Sequence, residues 1–168
     1  AELAAACGHA RPQYAEIALR ICDFAIRAQH SSGRFAKSWR NDGTIDDPEG
    51  TIGCFLILPL IEAYRRTGDA RYRDAAVRGY RYYIDEFTAN GYATAGALDT
   101  YCIDKESAIP LLKGGLLLYE LSGNAVYLRY AKQAAQYFAS WQMHHTVRFP
   151  EVSVLRDLGY DTFGGTTV

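Results

Sequence analysis

Carboxyl, imidazole and aromatic side chains gather between the apolar stretches of this sequence, and their types allow proton-transfer chemistry. Asp104 comes at the start of an apolar helix predicted over about Asp104 to Leu121. The N-terminal end of a helix favours anions, so as a catalyst Asp104 suits a base or a nucleophile, and as a structural residue an N-cap. Asp47 and Glu49 stand in the corresponding place before an earlier apolar run. Asp161 is flanked by Tyr160 and by Thr162-Phe163. Apolar neighbours raise a carboxyl pKa, which would suit an acid, while the plainer reading is a turn-forming Asp. Asp99 and Glu106 add two further carboxyls, with Glu106 also suited to a first helical turn. His144 and His145 follow a Trp-bearing helix directly, and one of them could carry a proton. Adjacent histidines do not share a helix face, so this pair alone does not make a metal site. The loop Asn41 to Glu49 is rich in oxygen ligands but lacks calcium-loop spacing, and it reads as a solvated acidic turn. There is no phosphate-binding glycine loop and no serine or cysteine nucleophile motif. No metal and no cofactor is implied.

These groups must be held by helices, and the sequence says how. Tyr64-Arg65-Arg66-Thr67-Gly68-Asp69 returns about 55 positions later as Tyr119-Glu120-Leu121-Ser122-Gly123-Asn124. Repetition at a fixed period marks a reused structural unit. Glycine suits the left-handed residue that closes a helix, and Asp or Asn caps the next helix at once. Each turn therefore predicts two antiparallel helices, giving hairpin units over about 49–90 and 104–143. An amphipathic helix over about 12–30 precedes them, with Tyr14, Ile17, Ala18, Ile21, Cys22, Ala25 and Ala28 as its apolar stripe. The stretch Ile52 to Ala63 is apolar almost all round and predicts a helix buried on every side, with Pro59 kinking it or delaying its start. Short connections alternate with long ones. All long loops then emerge at one end, together with the N-termini of both apolar helices, and a binding or catalytic site is expected there.

The 168 residues are nearly half apolar, enough for one domain with a core. A net charge of −1, with Lys and Arg dispersed, gives no footprint for nucleic acid or a membrane surface. The apolar runs are too short to span a bilayer. Four cysteines without a CxxC pair read as small core residues and leave the compartment open. Gly164-Gly165-Thr166-Thr167-Val168 ends in loop chemistry with no helix after it, so a fragment is expected.

The stretch Leu118-Tyr119-Glu120-Leu121-Ser122-Gly123-Asn124, followed by Tyr127-Leu128 and an Ala-rich helix ending in Ser140-Trp141, resembles the six-hairpin glycosidases. His144-His145-Thr146 and Gly159-Tyr160-Asp161-Thr162-Phe163-Gly164-Gly165-Thr166 are similar to bacterial sugar-processing members of that group. The resemblance implies an all-α fold in which helical hairpin repeats form part of an (α/α)6 toroid. Six units of about 55 residues need roughly 330 residues, so residues 1–168 would be one partial domain holding about half the ring. It further implies a carbohydrate-active enzyme, most simply a glycoside hydrolase working with a carboxylate pair in the loop mouth. The catalytic candidates are then Asp104, Asp161, His144 and His145. Trp39, Tyr92 and Tyr101 would stack on sugar rings, Asp47 and Asp99 would bind hydroxyls, and Arg148 would pair with a uronate carboxylate. Similar toroids also serve polysaccharide lyases and sugar epimerases, in which His144, His145 or Tyr101 would move a proton, and helical repeats also make non-catalytic binding modules. Open edges of a half ring would expose apolar helix faces and favour self-association.

Overall fold

The computed structural model describes residues 12–95 and 102–166. They form an all-α fold whose helices are α1 (Pro12–Ala28), α2 (Ile57–Thr67), α3 (Ala70–Asn90), α4 (Ala108–Ser122), α5 (Val126–Ala139) and the one-turn α6 (Val154–Asp157). Two small antiparallel ribbons, β1 (Ser38–Trp39) with β2 (Ile45–Asp47) and β3 (Ala93–Ala95) with β4 (Cys102–Asp104), occupy what the sequence presents as long loops.

The repeated turn is built twice with the same bonds. Gly68 and Gly123 adopt φ of 73° and 68°, and their N–H groups donate to Tyr64 and Tyr119 at 2.8 Å. Thr67 and Ser122 return their hydroxyls to the carbonyls of Ala63 and Leu118, at 2.7 and 2.6 Å. Asp69 Oδ1 and Asn124 Oδ1 then accept the N–H two residues on, at 2.9 and 3.0 Å. A Cβ at either glycine would meet no neighbour, so only the left-handed backbone demands glycine there. Gly68→Ala and Gly123→Ala should each cost about 1 kcal/mol, and nearly additively because neither added Cβ would touch anything. Thermal melts of the two single variants and the double variant would check this.

Long-range contacts fix the helix directions. Tyr137 near the end of α5 donates to the Asp104 carbonyl ahead of α4 at 2.9 Å, so α4 and α5 run antiparallel. Tyr83 late in α3 faces Gly53 ahead of α2, which makes α2 and α3 antiparallel too. α2 and α4 are parallel neighbours, joined near their starts by Thr51–Ser107 at 2.8 Å and near their ends by Arg65–Glu120 at 2.5 Å. The C-terminal ends of α3 and α5, the starts of α2 and α4 and the second ribbon thus share one end of the molecule.

The core holds Phe35, Ile57, Leu60, Ile61, Tyr80, Tyr83, Ile84, Leu111 and Leu118. Each large side chain so buried contributes about 1.5–3 kcal/mol before chain entropy is counted. Gly114 and Gly115 let Tyr80 and α5 approach α4, because a Cβ on Gly115 would stand 2.5 Å from Tyr80 Oη and 2.9 Å from the Tyr127 carbonyl. Tyr80 spends its hydroxyl on the Leu111 carbonyl at 3.0 Å.

Of the two outcomes open for Pro59, the structure has the delayed start: a 3-10 turn, Ile52–Leu56, comes first and the α-helix starts at Ile57, so Pro59 falls in its first turn, where its missing N–H costs little. Two expectations are corrected. The apolar helices are not buried on every side: Phe55 is 37% and Leu116 42% exposed, because their outward faces meet no neighbour among the described residues. On α1 the buried side chains are Ala15, Cys22 and Ala25, while Ile17 and Ile21 are about half exposed.

Candidate functional site

Where α2 and α4 begin, hydroxyls knit the loops together. Ser107 Oγ accepts from Thr51 at 2.8 Å and donates to the Thr94 carbonyl at 2.9 Å, and the Cys54 thiol lies 3.6 Å from the Ser107 carbonyl. Burial pushes the Cys54 thiol pKa far up and the Cys22 thiol to about 11, so both are inert small core residues, whereas Cys102 on β4 is exposed.

Asp104 stands on this frame. It is the last residue of β4 and pairs with Ala93. The helix begins four residues later with Ser107 at the cap position, so Asp104 is not its N-cap. Asp104 Oδ1 instead accepts the Glu106 N–H at 3.0 Å, and the Lys105 ammonium lies 3.7 Å from the same oxygen. Both side chains are almost fully buried, at 4% and 8% residue exposure. A carboxylate withdrawn from water is held in place by an adjacent cation and a backbone donor.

Asp47 is built the same way. It closes β2, pairs with Ser38, accepts the Glu49 N–H at 2.9 Å and has the Lys37 ammonium at 3.3 Å. The sequence does show this duplication, as Asp47-Pro48-Glu49 and Asp104-Lys105-Glu106, each ahead of an apolar helix. Sequence reasoning missed the two lysines, because the approach of Lys37 to Asp47 and the burial of Lys105 arise only once the ribbons form.

The third loop is held closed by its own residues. Met143 N–H donates to the Gly165 carbonyl at 2.8 Å and its carbonyl accepts the Gly164 N–H at 2.9 Å, while Thr162 Oγ1 accepts the Val147 N–H at 2.8 Å and reaches the His145 carbonyl at 3.3 Å. Asp161 accepts from the Thr146 hydroxyl and from the Phe163 N–H. These donors, the Thr146 hydroxyl first, hold its carboxyl below the usual range, the reverse of the upward shift expected from Tyr160 and Phe163. Those rings are 56% and 68% exposed and withdraw no water from it. His144, His145 and Arg148 are exposed along the same loop.

The Asp161 latch has a pH dependence with a definite sign. Its folded pKa lies below the unfolded value of about 3.9, so the latch contributes stability above that value and loses it as pH falls through the folded pKa. The amide signal of Phe163, which donates to Asp161, should titrate with a midpoint below the ordinary carboxyl value and cease to titrate in Asp161→Asn. A midpoint at or above the ordinary value would contradict the latch.

Trp39 is not the free stacking platform expected of a loop residue. Its ring packs edge-on against Phe24 of α1 at 5.5 Å, joins the core, and leaves its buried Nε1 without a hydrogen bond among the described residues. Tyr92 keeps 39% exposure. Asp99 and Tyr101 lie outside the described residues. Among the described residues, no group of three or more His, Cys, Asp and Glu side chains is placed to hold a metal, and no helix is long and apolar enough to cross a membrane.

No family model matches the chain. The chain is similar to an unsaturated chondroitin disaccharide hydrolase of Streptococcus pyogenes serotype M1, with 29% identity over 101 residues, 60% of this chain. The matched stretch spans a quarter (25%) of that relative's length.

Proposed function

We propose that this chain is part of a carbohydrate-active enzyme, a glycoside hydrolase, with Asp104 as a carboxylate of its catalytic pair. The observation that carries the reading is the placement of Asp104. It is pinned to a ribbon rather than a free loop, paired with Ala93 across the ribbon, held at its backbone carbonyl by the Tyr137 hydroxyl, and faced by a buried lysine. Such bracing is what a catalytic group needs to hold its geometry. The similarity to a disaccharide hydrolase points the same way. Asp47, on the equivalent turn one ribbon earlier, is the second carboxyl we assign to the pair, and Asp161 serves its own loop. The parallel order of α2 and α4, each followed by an antiparallel α3 or α5, supports a place within a ring of helical hairpins.

In this reading one carboxyl group, ionised, attacks the anomeric carbon or takes a proton from the water that does, and the other, protonated, gives its proton to the leaving oxygen as the glycosidic bond breaks. The complete protein should release reducing ends from a disaccharide, with unsaturated chondroitin disaccharide as the first probe. If an intact, folded protein cleaves no glycoside, or if Asp104→Asn and Asp47→Asn leave its rate unchanged, the reading is wrong.

A further inference from the structure

A concave feature lies between the C-terminal end of α3, the β3 strand and the segment leading into α2. It is a cleft of about 200 Å³ lined by Arg34, Glu49, Tyr82, Glu86, Asn90 and Tyr92, with Asp104 absent from its walls. That size is below the range of about 300–1,000 Å³ that houses a drug-sized ligand, and it admits little more than one ring.

The lining carries both halves of hydrogen-bond chemistry. Arg34 and Asn90 bring donors, Glu49 and Glu86 bring acceptors, and Asn90 also accepts. Ring hydroxyls both donate and accept, so a polyol is matched by a wall of this mixed kind. Tyr82 packs edge-on against Tyr83 at 5.0 Å, and with Tyr92 it supplies aromatic surface for the C–H face of a sugar. Charge narrows the choice. One guanidinium faces two carboxylates, and Arg34 Nη1 is already 3.3 Å from Glu49 Oε1. A sugar acid would meet an excess of negative charge here.

We propose that this cleft binds a single uncharged sugar ring, as a subsite beside the Asp104 turn. Thr94 connects the two places, since it lines the cleft and pairs with Ile103, the residue before Asp104. The inference rests on the carbohydrate reading, deepens it, and can fail separately from it.

The test titrates the full chain at low salt with methyl glucoside, methyl galactoside, methyl N-acetylglucosaminide and glucuronate, following the Tyr92 and Asn90 signals by NMR. At least one neutral glycoside should give saturable shifts, with glucuronate at least about 3-fold weaker. Asn90→Ala should weaken the neutral ligand about 5-fold. Glu86→Gln, on an exposed helix position where folding is safe, keeps an acceptor oxygen and removes one negative charge, so it should narrow the gap between glucuronate and the neutral rings. Absence of saturation by every neutral ring, or glucuronate binding as tightly as they do, overturns the proposal. Hydrolysis by the complete protein without cleft binding would sink this subsite alone, whereas cleft binding without hydrolysis would sink only the catalytic reading.

Discussion

Asp104→Asn in the complete protein is expected to lower the hydrolytic rate by about 10²–10⁴-fold, the usual contribution of a positioned acid or base. The substitution is informative because it separates charge from shape. Asparagine keeps an oxygen for the Glu106 N–H, so the turn that Asp104 makes survives. What disappears is the negative charge beside Lys105, whose side chain is only 11% exposed. Leaving that cation without its carboxylate costs up to about 3 kcal/mol, so a fall in activity could be mistaken for a fall in folded protein. The double variant Asp104→Asn with Lys105→Met removes this ambiguity. It should recover most of the thermal stability and none of the rate. Recovery of rate with stability would show that Asp104 acts only as a structural brace.

Gly53→Ala should be strongly damaging for so small a substitution. A Cβ there would stand 2.3 Å from Tyr83 Oη and 2.7 Å from the Phe35 carbonyl oxygen. Neither neighbour can give way easily. The Tyr83 hydroxyl accepts the Phe35 N–H at 2.9 Å and donates to the Phe35 carbonyl at 2.8 Å, and both residues are buried. Displacing the phenol strands two backbone groups out of water, at about 1–3 kcal/mol each, and overpacking adds to this. A loss of about 3 kcal/mol, or about 6–12 °C in Tm, is expected. A double-mutant cycle with Tyr83→Phe gives a second reading. The double variant should lose less than the sum of the two single losses, because removing the hydroxyl removes the nearest of the clashes. A Gly53→Ala protein within about 0.5 kcal/mol of the parent would refute the account.

The helices were legible because their signals are local and redundant. Gly68 and Gly123, with Asp69 and Asn124 beside them, fix where one helix stops and another begins, and the structure places its turns there. The ribbons were not legible. Ser38–Trp39 and Cys102–Asp104 are too short to show alternation, and what stabilises them is pairing with a partner strand rather than propensity. The errors at Trp39 and Asp161 share one cause: sequence neighbours were taken for spatial ones. Trp39 is surrounded by polar loop residues in the chain but lies on Phe24 in the fold, while Asp161 has aromatic neighbours in the chain that turn away to solvent. The cleft was missed for a related reason, since Tyr82, Glu86 and Asn90 belong to a helix whose pattern speaks only of packing.

The Arg65–Glu120 pair joins the same position of two successive hairpins, exactly one repeat length of 55 residues apart. Were the two copies identical there, two arginines or two glutamates would face each other across the contact. A duplicated unit that touches its own copy through equivalent residues is therefore pushed to diverge at that residue, however well the rest of the turn is preserved. Descent from one ancestral hairpin should accordingly be sought in the glycine and cap positions, and charge should be expected to change sign where the copies meet.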